Sequence, residues 1–464
     1  METQKLRHGE TLIDSHCHLH MKAFDKDRSQ VIEKAKAAGV STIVNIGINR
    51  KSNKKGITIA ENYDNVYTTI GFHPHEAKAL DSSTFDELKV LAKSPYVVAI
   101  GETGLDYYYM HSSKSNQQES FRKQLALANE LNLPVVIHSR DAEEDMLDIL
   151  KDAPKGLKGV FHCYTGTIQL AEKILEIGFY LSFSGIVTFE DAEAIREIVT
   201  IVPDESLLIE TDAPYLTPRP GYGKRNEPAF IVSTAKVIAQ LRGISLTDLA
   251  RITSLNTKKL FNIGAIPEVA KIAYPIRDSL YLNITGRCTN ACFFCIRFQS
   301  DTVKGHYLKL EKEPDTETII KSIGNPQDYK EIIFCGLGEP LLRLDVIKDV
   351  ATWVKKRGGQ IRINTNGQGC LIHGRNILPE LQGLVDSISI SLDAENEEKY
   401  NSICHPSLKG AYRVVLDFIR DAPKYIPNVE ASVVTTPEVD IEKCRKIAEK
   451  FNVNLRLRKL DVVG

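Results

Sequence analysis

Between Thr11 and about Gly264, short β-branched runs alternate with longer amphipathic stretches, and this alternation narrows the possible folds more than any other feature of the chain. The runs are TLIDSH, VSTIVNIG, VYTTIGF, VVAIGET, LPVVIHS, KGVFHCY, YLSFSG and SLLIET, and stretches such as Phe121 to Leu131 and Ala229 to Leu241 carry the helical period between them. Strands joined through helices form a parallel sheet, and eight of them predict a closed α/β barrel of the (β/α)8, or TIM, type. Polar residues end most of the runs, at the rim where such barrels build active sites.

The pattern lapses over residues 265–278, AIPEVAKIAYPIRD, which contain two prolines and no clear period. This stretch reads as a linker between a first domain, 1–264, and a second, 279–464. The second domain alternates again, with SLYLNIT, EIIFCG, QIRINTNG, DSISISLDA, VEASVVTT and NLRLRKL as strands, which suits a partial (β/α)6 barrel. A length of 464 residues exceeds what one hydrophobic core organises, so two domains are expected. No stretch approaches the roughly 18 apolar residues of a membrane span. The start, METQKLRHGE, lacks the apolar run of a secretory leader, so a cytoplasmic enzyme without a membrane partner is expected. A net charge of -1 excludes a globally basic nucleic-acid binder and leaves local phosphate binding open. Nine scattered cysteines, an odd number, do not suit a disulfide framework.

In IDSHCHLH, His16 and His18 are two apart on a strand and point the same way, so they can share one ion. Glu102, His138, His162 and Asp212 each end a further strand. A single strand-end histidine is more often a satisfied core residue than a ligand. Six imidazoles and carboxylates at one rim are a different matter, because burying them unpaired would cost stability, and mixed nitrogen and oxygen donors suit two divalent ions.

The segments DSHCHLH, GFHPHEA, GETGLDYYY, VIHSRDA, FHCYTG, ETDAPYLTP and KRNEPAF occur in the order seen in TatD-type metal-dependent deoxyribonucleases, and residues 11–264 resemble that family throughout. The resemblance implies a barrel that hydrolyses phosphodiesters with two, sometimes three, divalent ions, Mg2+, Mn2+ or Zn2+. His16, His18, Glu102 and Asp212 would bind one ion and Glu102, His138 and His162 the second, with Glu102 bridging. Asp212 would also be the general base, and His73 would help hold the scissile phosphate; a plain turn histidine beside Pro74 is the other reading of His73. Arg225 and Asn226 would support the site. Tyr109, the third tyrosine of GLDYYY, stands where that family usually presents a basic residue, which bears on substrate preference.

In RCTNACFFCIRF, Cys288, Cys292 and Cys295 form a CxxxCxxC triplet just past a strand. Three thiolates complete three irons of a [4Fe–4S] cluster and leave the fourth open. A closed zinc site needs a fourth nearby ligand, and neither His306 nor Cys335 has that spacing. Residues 279–464 resemble the radical S-adenosylmethionine (SAM) superfamily. Phe294 precedes the last cysteine as in that pattern. In CGLGEP, Gly336, Gly338 and Glu339 match the motif that meets the SAM amino group, while Leu337 replaces its usual second glycine. Asn364 and Asn366 resemble residues near the SAM ribose, and Ser391 and Asp393 could complete the polar contacts. Alone, GLGEP or NTNG would be an ordinary turn. The resemblance implies that SAM chelates the open iron and that an electron from a donor such as flavodoxin or ferredoxin cleaves it to methionine and a 5′-deoxyadenosyl radical. Cys335, Cys370, Cys404 and Cys444 lack CxxC spacing and read mostly as buried thiols. A bifunctional enzyme acting on nucleic acid or nucleotides is therefore expected. The alternatives are hydrolysis of another ester or amide, such as an aminoacyl-nucleic acid, or a first domain that only recruits substrate for the second.

Overall fold

The computed structural model describes residues 6–7, 9–221 and 223–460. Most of the segment on which the reading of the chain's start rests, residues 1–5 and 8, lies outside them. The chain divides into two compact units, 1–266 and 267–464.

The first unit is an eight-stranded sheet of parallel neighbours in the order of the chain: β1 (Leu12–Cys17), β2 (Val40–Asn45), β3 (Val66–Ile70), β4 (Val97–Asp106), β5 (Val135–Arg140), β6 (Gly159–Phe161), β7 (Tyr180–Phe183) and β8 (Leu207–Ile209). The sheet closes where Asp212 N donates to His16 O at 2.9 Å and His18 N donates to Ala213 O at 2.8 Å. Closure leaves no free edge, and helices cover the outside. Side-chain parity explains what faces inward. Val44, Val136, Val160 and Leu208 belong to an inner cluster, which Leu260, Phe261 and Ile263 join from the end of the helix Leu246–Phe261. Their neighbours Ile43, Val135, Phe161 and Leu207 belong to the outer layer between strands and helices. Two residues further along the same inner rows stand His138, His162 and Glu210.

The second unit has a seven-stranded sheet. Six strands run parallel: β10 (Ser279–Asn283), β13 (Ile332–Cys335), β14 (Ile361–Thr365), β15 (Ser387–Ser391), β16 (Asn428–Thr435) and β17 (Asn454–Lys459). The seventh, β9 (Ala273–Ile276), pairs antiparallel with β10 at the edge. A short hairpin, β11 (Thr302–Val303) and β12 (His306–Tyr307), stands apart. This is the open (β/α)6 arrangement with one added strand. The stretch 265–278 is thus not wholly a linker. Pro275, which argued against a strand, is tolerated because an edge strand can leave one side of its backbone unpaired.

Candidate metal centre and cofactor cavity

In the first unit the expected side chains converge at the C-terminal rim. Pairing of β1 with β2 shifts register between Asp14 and Cys17, and pairing of β4 with β5 shifts between Ile100 and Thr103. Such irregularities re-aim side chains, and these two flank His16 and Glu102. Asp212 adopts φ 54°, a left-handed conformation uncommon for a side-chain-bearing residue and tolerated best by Asn, Asp and His.

Glu102 sits between two sets of nitrogens. Its Oε2 lies 3.6 Å from His16 Nε2 and 3.8 Å from His18 Nε2, while Asp212 Oδ1 lies 3.5 and 3.2 Å from the same two atoms. Its Oε1 lies 2.8 Å from His162 Nε2, 3.2 Å from His138 Nδ1 and 3.4 Å from His73 Nε2. A tetrahedron of donors about 2.1 Å from an ion has edges of about 3.4 Å, so the spacing of the first set suits a cation at its centre. His16 with His18 and Glu102, His16 with His162 and Asp212, and His73 with Glu102 and His138 are the groupings that could hold ions.

The far nitrogens decide which atoms face inward. His138 Nε2 lies 3.0 Å from Asp106 Oδ2 and His162 Nδ1 lies 3.3 Å from Glu210 Oε1. Each carboxylate accepts a hydrogen bond from the far ring nitrogen; although burial works to lower both imidazoles, the carboxylates that face them raise them, so Nδ1 of His138 and Nε2 of His162 donate to Glu102, and a bound ion would take the place of those inner protons. His73 differs: its Nδ1 accepts from His75 N at 3.1 Å, so the neutral ring carries its proton on Nε2. Burial, ahead of its neighbours, holds His73 down to about 4, so it is a neutral donor at pH 7. Burial works to raise the Glu102 carboxyl, but the imidazoles around it, His162 first, hold it well below the carboxylate range. Asn226 Nδ2 donates to Thr211 O at 2.8 Å and braces the loop after β8, while Arg225 pairs with Asp27 and Glu227. The cavity over these residues measures about 760 Å³.

In the second unit, Cys288, Cys292 and Cys295 lie half-buried in the loop after β10. Ala291 N donates to Cys404 O at 2.9 Å and Phe293 N to Ile403 O at 3.2 Å, which pins the loop. Burial pushes the Cys288 thiol up to about 12 and raises Cys295, a cost that cationic iron would offset. Asn290 N lies 3.4 Å and Asn366 Nδ2 3.8 Å from Cys288 Sγ, donors suited to a cluster sulfur. A cavity of about 280 Å³ beside the triplet is lined by all three cysteines and by Gly336, Gly338, Glu339, Asn364, Asn366, Ser391 and Asp393. Asn364 Oδ1 is buried without a satisfactory donor, with the Cys335 thiol beside it, so a hydroxyl of a bound molecule would suit it. Cys335, half-buried, lines the same cavity.

The TatD related DNase family model matches residues 13–262, more than half of the chain. The chain belongs to the TatD-related DNase family. Its TatD-related part is 44% identical to the uncharacterized metal-dependent hydrolase YabD of Bacillus subtilis, over 54% of this chain and 100% of that one. It is 40% identical to the 3′-5′ ssDNA/RNA exonuclease TatD of Erwinia tasmaniensis, over 52% of this chain and 95% of that one. The crystal structure of YJJV, a TatD homolog from Escherichia coli K12, superposes with a TM-score of 0.52 at 30% identity, over 55% of this chain and 98% of that one. The Radical SAM superfamily model matches residues 282–451. The protein is a TatD-type metal-dependent hydrolase joined to a radical SAM domain, and that membership implies divalent metals in the first unit and a [4Fe–4S] cluster with SAM in the second.

Several residues of the TatD-related site escaped the sequence reading. Asp106 and Glu210 are two of them, and Glu210 shares the parity of Leu208 and therefore points inward. In the radical SAM domain Arg458 was missed: its Nη2 lies 3.2 Å from both Ser391 Oγ and Asp393 Oδ1.

Proposed function

We propose that the TatD-related barrel hydrolyses phosphodiester bonds of nucleic acid with two divalent ions, Mg2+, Mn2+ or Zn2+, held by His16, His18, Glu102, His138, His162 and Asp212. The observation that carries this reading is the division of Glu102: one oxygen faces His16 and His18, the other His138 and His162. The name of the Erwinia relative supplies the substrate class. Bound ions would lower the pKa of water toward neutrality and screen the phosphate's charge. Asp212, at the rim and partly open to the cavity, takes the proton of the attacking water. His73 donates from Nε2 to a phosphate oxygen, Asp106 and Glu210 keep His138 and His162 in the right tautomer, and Asn226 holds the Asp212 loop.

In the second unit we infer that Cys288, Cys292 and Cys295 hold one [4Fe–4S] cluster, with SAM in the adjoining cavity and an electron donor of the flavodoxin or ferredoxin kind. The cluster and SAM supply the one-electron cleavage. Glu339 and Asn366 shape one wall of the cavity, and Arg458 fixes Ser391 and Asp393 at another. A reducing cytoplasm fits an oxygen-sensitive open iron.

The test is anaerobically reconstituted protein assayed on single-stranded DNA with Mg2+ or Mn2+, and separately on SAM with dithionite. Shortened strands that disappear on chelation and in Glu102→Gln are expected, as is 5′-deoxyadenosine that disappears when the three cysteines are replaced by alanine. Wild-type turnover by Glu102→Gln sinks the two-ion assignment, and stoichiometric zinc at the cysteines without 5′-deoxyadenosine sinks the radical one.

A further inference from the structure

The rim of the 760 Å³ cavity carries a feature that hydrolysis alone does not require. Tyr108, Tyr109 and Tyr215 are 58%, 52% and 52% exposed, although large aromatic rings usually bury most of their surface. Tyr109 follows β4 and Tyr215 follows β8, and four strands apart in a closed ring of eight is opposite. Both line the cavity together with the candidate ion ligands. Tyr109 is tied to the centre by its backbone, since Tyr109 N donates to Asp106 Oδ1 at 2.9 Å and the other oxygen of Asp106 meets His138 Nε2 at 3.0 Å. Tyr215 is tied on the other side, where Tyr215 N donates to Asp212 O at 2.9 Å and its ring meets His18 edge-on at 6.3 Å.

The guanidinium of Arg140, at the end of β5, lies 4.0 Å from the centre of the Tyr108 ring and 5.0 Å from that of Tyr109. Arg140 is exposed, lines the cavity and has no acid partner among the described residues. The Tyr109 ring meets Tyr108 edge-on at 4.8 Å and lies parallel to His111 at 5.9 Å, and an aromatic surface beside an unpaired guanidinium, next to the candidate ion ligands, is what a base and its phosphate need together.

We propose that Tyr109, backed by Tyr108 and Arg140, is a stacking platform for a base of a single-stranded nucleic acid, with Tyr215 as the opposite wall and Arg140 toward the backbone phosphate. The proposal rests on the phosphodiesterase reading above and adds the residues that select the substrate. A paired base keeps its faces inside the duplex, so the platform selects unpaired strands without selecting sequence.

The test uses the full chain with Mn2+ and two strands of equal length, oligothymidylate and an abasic strand with the same phosphates. Wild-type protein is expected to prefer the strand with bases in kcat/KM, mainly through KM. Tyr109→Leu is expected to lower that preference roughly ten-fold, the scale of one lost base stack, and Tyr109→Phe to restore it. A wild-type preference near one, or an unchanged preference in Tyr109→Leu, overturns the platform. If the wild type cleaves neither strand, the nuclease reading fails by itself. Fluorescence anisotropy of the same labelled strands in Ca2+ then decides the platform: a Kd preference for bases that Tyr109→Leu removes supports it, and equal Kd values overturn it.

Discussion

Asp106 does for His138 what Glu210 does for His162: each accepts a hydrogen bond from the far ring nitrogen and so keeps the near nitrogen turned to the centre for a bound ion. Asp106→Asn keeps the volume but offers an amide that can present its NH2 to Nε2, so the wrong tautomer becomes available. A loss of about 10- to 100-fold in metal affinity is expected, with the melting temperature of the metal-free protein nearly unchanged; titration by calorimetry checks it, and wild-type affinity refutes it. Glu339 offers a second measurement. Burial raises its carboxyl to about 7, against donation from Asn366 N, Leu341 N and Thr365 Oγ1. A raised acid costs the fold nothing when it is protonated in both folded and unfolded states, and the cost grows as pH rises from about 4.5 to about 7. The cofactor-free second unit should therefore lose on the order of 3 kcal/mol across that window, and Glu339→Gln should flatten the loss; denaturant melts at pH 5 and pH 8 measure the difference. At this scale the sequence disclosed the residues that end strands, because type and position coincide there. Asp106, Glu210 and Arg458 stayed hidden because a buried acid near a turn, or an arginine in an alternating strand, has an ordinary structural meaning.

The strands themselves were legible because parallel strands covered by helices are written as apolar runs, whereas β9 was not, since four residues with a proline give no period. Close approaches between elements are also invisible in a sequence. Glu339 N donates to Arg287 O at 2.7 Å, which draws the turn after β13 against the start of the cluster loop. A Cβ on Gly338 would stand 2.4 Å from both Arg287 O and Thr285 O, which are backbone atoms that cannot rotate away. Gly338→Ala must therefore push the turn from the loop, at about 1–3 kcal/mol for an overpacked contact. Gly286, inside the loop itself, meets nothing within 4 Å, so Gly286→Ala is the matched control. After identical reconstitution Gly338→Ala should retain less iron and less SAM binding than Gly286→Ala; equal iron content in the two would mean that the turn does not position the loop.

Among the described residues, the buried members of the barrel's two hydrophobic clusters run from Leu12 to Ile263, and those of the second unit's two clusters from Tyr274 to Val453. Stabilities built on separate cores should respond separately to ligands. The chain contains one tryptophan, Trp353, in the helix Leu344–Lys355 of the second unit, where the guanidinium of Arg357 lies 4.0 Å from the ring centre. Its fluorescence therefore reports the unfolding of the radical SAM domain, while calorimetry reports both units. Mg2+ is the ligand of choice, because it favours carboxylates and leaves thiols alone. At about 100 times its Kd, an ion that binds only the folded barrel adds roughly 2.7 kcal/mol, which for a unit of this size raises the midpoint by about 5–10 °C. The expected outcome is a calorimetric transition that moves by this amount in Mg2+ while the Trp353 midpoint stays within about a degree, and Glu102→Gln should abolish the movement. A Trp353 midpoint that rises together with the barrel transition would mean that the two units unfold as one, and the second unit could not then be studied apart from the metals of the first.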